Sequence, residues 1–182
     1  MRKERVASPP LPTLVVERIV ATPNAIQGDV KNVGTAPVFQ PFWVDLYLNP
    51  PTTPTRVNQI WNDPEGDGTY CPFPICQGLA WGVWGGSLPL LPGETLVLRV
   101  DENDPEAAIQ WPLRAGDIVL AQVDSWNPGT DYGMVIESHE AYGGPYDNIR
   151  WATRVLWTLG DGAVHAEIAG SGVAFEGLPE RP

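Results

Sequence analysis

The sequence predicts an all-β protein: an antiparallel β-sandwich with immunoglobulin-like connections, about eight or nine strands and a long loop insertion. Three observations carry this expectation. Apolar and polar residues alternate in short runs, most clearly in Phe42-Trp43-Val44-Asp45-Leu46-Tyr47-Leu48, and such alternation marks a strand buried on one face. Turn signals punctuate these runs at intervals of roughly ten residues. The 182 residues include 19 Gly and 20 Pro, which interrupt helices, and no convincing helix is legible. A closed barrel is the alternative architecture.

Taken in order, residues 1–12 read as a Pro-rich arm or linker, because Pro9, Pro10 and Pro12 stiffen the chain and withhold N–H donors. The first strand is expected over Thr13–Val20, with Leu14, Val16 and Val20 on one face and Glu17 on the other. Ala21-Thr22-Pro23-Asn24 turns the chain into a short second strand from about Gln27 to Val33, which Gly34 ends. In the third strand Phe42, Val44, Leu46 and Leu48 form an apolar face, while Trp43, Asp45 and Tyr47 form an amphipathic one; Asn49-Pro50-Pro51 stops it. Thr55–Trp61 reads as a further strand, and Asn62–Gly78 as the loop insertion. Leu79–Trp84 and Thr95–Val100 follow as strands, the second introduced by the turn Leu91-Pro92-Gly93-Glu94. Ala107–Trp111 is expected to be a helical turn. Asp117–Asp124 is a strong strand, Ser125–Gly133 a polar loop, Met134–Glu137 a short strand and Asp147–Trp157 a long one. Gly160-Asp161-Gly162 suits a hairpin into Ala163–Ile168. The sandwich thus spans 13–168, and 169–182 is expected to be a flexible tail.

Charge narrows the partners. The formal net charge is −11, from 22 acids and 11 bases. Non-specific nucleic-acid binding needs clustered cations that displace counterions, and only Arg2, Lys3 and Arg5 cluster. Nucleic acid and anionic membrane are therefore set aside as partners. No apolar run approaches the ~20 residues of a membrane span. The basic residues at the start are followed by no apolar stretch, so no signal peptide is legible.

The run Lys31-Asn32-Val33-Gly34-Thr35-Ala36-Pro37 resembles a recurrent turn of the bacterial cell-adhesion-related domain, CARDB. Phe42–Pro50 looks like that family's third strand, and Leu91-Pro92-Gly93-Glu94 like the turn before its fifth. Ala121-Gln122-Val123-Asp124, Val135-Ile136-Glu137-Ser138-His139-Glu140 and Asp147-Asn148-Ile149 resemble its closing strands and the acidic turn between them. The resemblance covers residues 13–150. It departs from the family in the short second strand, the insertion at 62–78 and the extension over 151–182. It implies an extracellular, often tandem, non-catalytic module of bacterial or archaeal surface proteins, and fixes no ligand. Together with that extracellular setting, Cys71 and Cys76 suggest a disulfide pinning the insertion, worth ~2 kcal/mol for so small a ring. Two free thiols are the alternative. Zinc is disfavoured because two cysteines are too few and both histidines lie far off in sequence.

Two acidic groups invite calcium. Asp63, Glu65 and Asp67 alternate in a Gly-containing loop, where oxygen ligands can wrap a cation; the twelfth position of an EF-hand would be Pro74, so that motif is absent. Asp131, Glu137, Glu140 and Asp147 form the second set, with Asn148 offering a carbonyl. A solvated acidic loop is the commoner explanation of the first set, and turn chemistry, in which Asp and Asn accept from nearby backbone N–H groups, that of the second. The eight tryptophans invite another reading. Sugar-binding sandwiches stack rings on pyranose faces, and Trp43, Asp45 and Tyr47 share a strand face suited to that; core packing is the commoner fate of such rings. His139 and His165 read as surface or turn histidines, and neither a Gly-x-Ser-x-Gly elbow nor a His-Glu-x-x-His motif occurs.

The expectation is therefore a non-catalytic structural or adhesion module of a surface protein or filament. It would act through neighbouring protein modules, with calcium as a possible bridge. A carbohydrate-binding module is the alternative. The short second strand suggests an unpaired edge open to another chain, with the Pro-rich arm as one donor.

Overall fold

The computed structural model describes residues 9–61 and 77–153. Among them run seven strands: β1 (Leu14–Thr22), β2 (Ala25–Asn32), β3 (Phe42–Leu48), β4 (Gln77–Val83), β5 (Thr95–Asp101), β6 (Ile118–Val123) and β7 (Ile149–Thr153). They form two antiparallel sheets, β1-β2-β5 and β4-β3-β6-β7. The expected sandwich is present, with fewer strands than the turn spacing suggested. Alternation drives the layering: Leu14, Ile26 and Val30 from one sheet meet Phe42, Leu46 and Val123 from the other in a continuous buried core.

The second strand differs from expectation. β2 is eight residues long and lies between β1 and β5, paired along its length on both sides. It leaves no free edge, so the motive for docking another chain there disappears. The arm end instead binds its own domain. The Leu11 carbonyl accepts from Thr35 N–H at 2.9 Å, and the Pro12 carbonyl from Ser138 N–H at 3.2 Å.

The Lys31–Pro37 turn has a clear physical basis. Asn32 is fully buried; its Oδ1 accepts from Gly34 N–H at 3.0 Å, and its Nδ2 donates to the Ala36 and Leu90 carbonyls at 2.8 and 3.0 Å. Gly34 is required because a Cβ there would lie 2.3 Å from Thr13 N and 2.6 Å from the Leu11 carbonyl.

Three expected elements are absent. Thr55–Trp61 is not a strand, because Asn58 takes a positive φ of 64° and the Gln59 Oε1 accepts from Thr55 N–H at 2.7 Å and Arg56 N–H at 3.2 Å. Met134–Glu137 is not a strand either. Met134 and Val135 give their N–H groups to the Asp124 carboxylate, at 2.8 and 2.9 Å, and Glu137 gives its own to Glu140 at 3.0 Å. Ala107–Trp111 makes no helical turn; Ala108 bridges Gly78 in the antiparallel sense, and Gln110 N–H donates to the Gln77 side chain. Conversely, the described residues hold one α-helical turn, α1 (Ser138–Tyr142), and one short 3-10 turn, Gly85–Ser87, at places where neither was expected. The expected strand Ala163–Ile168, the tail 169–182, Cys71, Cys76, Asp63, Glu65 and Asp67 lie outside the described residues.

Candidate functional site

The outer face of the four-stranded sheet carries most of the chemistry. Strand period places Trp43, Asp45 and Tyr47 of β3 there, beside Gly78, Ala80 and Gly82 of β4, in the register Trp43–Gly82, Asp45–Ala80 and Tyr47–Gly78. The segment after β3 folds back over part of this face. Tyr47 is wholly buried, its hydroxyl 2.7 Å from both the Gln59 carbonyl and Gln122 Oε1. Asp45 is buried too; it accepts from Trp61 N–H at 3.2 Å and is hydrogen-bonded to the Ser125 hydroxyl. Burial pushes the Asp45 carboxyl up to about 6, against the lowering effect of those two bonds.

This arrangement corrects the sugar-binding trio. Asp45 and Tyr47 point at the face as expected, but the returning chain covers them and takes their polar atoms. Only Trp43 belongs to an accessible group. Its ring meets that of Trp84 at 5.6 Å and 74°, and that of Trp126 at 6.1 Å and 90°. Trp84 is 57% exposed and Trp126 39%. Trp84 lies directly over Gly82, where a Cβ would stand 1.6 Å from the indole. Ser125, next to Trp126, donates its N–H to the Trp43 carbonyl at 3.2 Å, which holds that loop against β3. The result is an edge-to-face cluster of three rings, two of them open to solvent. The abundance of tryptophan and the Gly82-x-Trp84 spacing are its sequence signals; nothing local indicates that Trp126 joins it.

The second acidic set is placed differently from the expectation. Asp131 is exposed, whereas Glu137 is fully buried. Glu137 accepts from Leu14 N–H at 2.6 Å and from Asn148 Nδ2 at 2.7 Å. Glu140 accepts from Gly133 N–H at 2.9 Å as well as from Glu137 N–H. Asp147 Oδ1 sits 3.4 Å from His139 Nδ1, and the His139 ring meets Tyr146 edge-on at 5.9 Å. Glu137 and Glu140 thus serve as backbone acceptors, while Asp131 stands exposed and Asp147 faces His139. Among the described residues, no three His, Cys, Asp or Glu side chains are grouped to hold a metal ion.

Burial is the dominant electrostatic fact here. It pushes Asp124 up to about 7, against the N–H bonds from Val135 and Met134, and Glu137 up to about 9, against the bonds from Leu14 and Asn148. Burial also raises the Tyr146 phenol, although Gln122 donates to it at 2.6 Å. No helix among the described residues is long and apolar enough to cross a membrane.

No family model matches the chain, and no curated protein matches it. Among solved structures, it is similar to β-glucosidase 3B from Thermotoga neapolitana in complex with α-D-glucose, at 13% identity and a TM-score of 0.31. The alignment covers 78% of this chain and 17% of the glucosidase, and a likeness that weak carries no argument.

Proposed function

We propose that this chain is a non-catalytic structural or adhesion module of a bacterial or archaeal surface protein or filament, acting through contacts with neighbouring protein modules. The observation that supports this reading is the cluster of Trp43, Trp84 and Trp126, with Trp84 57% exposed. Large exposed rings grouped on one side of a rigid sheet are the usual anchors of protein contacts, because each buries much area at little rotamer cost. Their near-perpendicular planes favour interdigitation with protein side chains over a sugar face, which wants a flat platform. The acidic surface, at net −11, maintains solubility between contacts.

The test uses cells that make the protein. A photo-crosslinking phenylalanine at position 84 is expected to yield a discrete protein adduct. The same group at Val97, exposed on the other sheet, should yield none. Equal adducts at both positions would overturn the reading. So would no adduct at 84 combined with ring-dependent binding on a glycan array.

A further inference from the structure

We propose that the loop end of the sandwich carrying Trp84, Trp126, Tyr132 and Ile136 docks a protein segment whose apolar residues are flanked by Lys or Arg. This rests on the reading of the chain as a contact module and names the chemistry of its partner.

Topology gathers this end. The antiparallel registers bring the start of β1, the end of β2 and the start of β5 to one side of their sheet. They do the same for the start of β3, the ends of β4 and β6 and the start of β7. Contacts between the sheets make this a single end: Glu137 holds Leu14 N–H at 2.6 Å, and Asn32 Nδ2 donates to the Leu90 carbonyl at 3.0 Å. Three loops, 33–41, 84–94 and 124–148, therefore meet there. Among the described residues, every exposed large apolar side chain except Val97 stands on one of them, and the opposite end exposes none.

The run from Met134 to Glu137 shows that this exposure is built in. Met134 and Ile136 are 40% and 44% exposed, whereas Glu137 and Asp124 are fully buried. Carboxyls inside and apolar side chains outside reverse what solvation favours. The buried and half-buried polar groups fix the loop. Asp124 takes the N–H groups of Met134 and Val135 at 2.8 and 2.9 Å, and Glu140 takes that of Gly133 at 2.9 Å. Asn127 Nδ2 donates to the Gly133 carbonyl at 2.8 Å. The apolar side chains are thus presented on a preorganised backbone, which reduces the entropy lost on docking.

Charge selects the occupant. The three loops contain no Lys or Arg, and Glu94 and Asp131 stand exposed on them. Lys31, at the end of β2, is taken by Glu17 at 2.6 Å. A partner that covers the rings therefore meets carboxylates around them, and Lys or Arg flanking its own apolar residues complements these. A second copy of this chain offers the wrong charge at either end: its β5–β6 loop exposes Glu102 and Glu106, and its loop end repeats Glu94 and Asp131. The same carboxylates disfavour a bilayer, because sinking them to the acyl boundary desolvates them.

The test is selection of short random peptides, displayed on phage, on the full chain. Enriched sequences are expected to carry aromatic or aliphatic residues flanked by Lys or Arg. A synthetic peptide of the dominant sequence should bind in titration calorimetry and weaken as salt is added. Ile136→Ser should weaken it about tenfold. Asp131→Asn should weaken it less and flatten the salt dependence. Val97→Ser, on the other sheet, should leave it unchanged. The composition of the enriched peptides decides the matter even if a variant fails to fold. No enrichment overturns the proposal, as does enrichment of acidic or uncharged peptides, or binding that Ile136→Ser leaves unchanged. A chain that binds phosphatidylcholine vesicles or itself, and no peptide, overturns it as well. Peptides lacking Lys and Arg, together with a position-84 adduct to a protein, remove the basic partner and leave the contact-module reading standing.

Discussion

The Glu137 carboxylate accepts the backbone N–H of Leu14 at 2.6 Å, joining residues 123 apart in sequence. Its other oxygen accepts from Asn148 Nδ2 at 2.7 Å. One side chain thus fastens the start of β1 and the approach to β7 to the turn before α1. Glu137→Ala leaves both N–H groups without an acceptor in a buried place and should destabilise the fold by ~1–3 kcal/mol. Urea denaturation measures this, and protected-amide exchange at Leu14 should accelerate more than at Phe42. An unchanged midpoint would show that the bonds are replaceable by water.

Three buried carboxyls set the pH dependence. Folding raises Asp45 to about 6, Asp124 to about 7 and Glu137 to about 9, from ordinary values of 3.8, 3.8 and 4.5. A raised carboxyl keeps its proton when folded and releases it when unfolded. Its contribution is full below the unfolded value and is lost as pH climbs through the folded one. Thermal stability should accordingly decline from about pH 4 to about pH 9, the later part of the decline belonging to Glu137. Scanning calorimetry across this window checks the sign. A melting temperature that rises with pH would contradict it, and Glu137→Gln should flatten the alkaline limb.

Two glycines of β4 should respond differently to one methyl group. At Gly78 the added Cβ would stand 2.1 Å from the Leu46 carbonyl, which is backbone and cannot yield. At Gly82 the three nearest atoms would all belong to the ring of Trp84, an exposed side chain that can turn aside at the cost of its edge contact with Trp43. Gly78→Ala should cost ~2–3 kcal/mol and Gly82→Ala under ~1 kcal/mol. The second variant should also red-shift tryptophan emission as Trp84 leaves the sheet. Equal costs would mean that the strand adjusts as easily as the ring.

Asn32 holds four backbone groups from the start of β1, the turn after β2 and Leu90. Asn32→Ala leaves them unpaired in a buried place and should cost ~2–4 kcal/mol, read from chemical denaturation. Asn32→Asp keeps the acceptor but loses both donated bonds, so it should also destabilise. A near-neutral alanine variant would show that water reaches the turn.

The sequence by itself determined the layered β architecture and the position of most strands. Alternation is a local property: Phe42, Val44, Leu46 and Leu48 turn to the core whatever lies beyond them. It also determined the Asn32–Gly34 turn. Tertiary structure alone decided where backbone N–H groups go when a side chain competes for them. Asp124 captures Met134 and Val135, and Gln59 captures Thr55, so two apparent strands never form. It also decided which side of β3 meets solvent. The chain returning through Gln59 and Trp61 buries Asp45 and Tyr47, while the loop at Ser125 brings Trp126 to Trp43. Strand period fixes which residues share a face; whether that face is covered depends on segments distant in sequence, whose docking is a balance of packing and hydrogen bonds that no local pattern encodes.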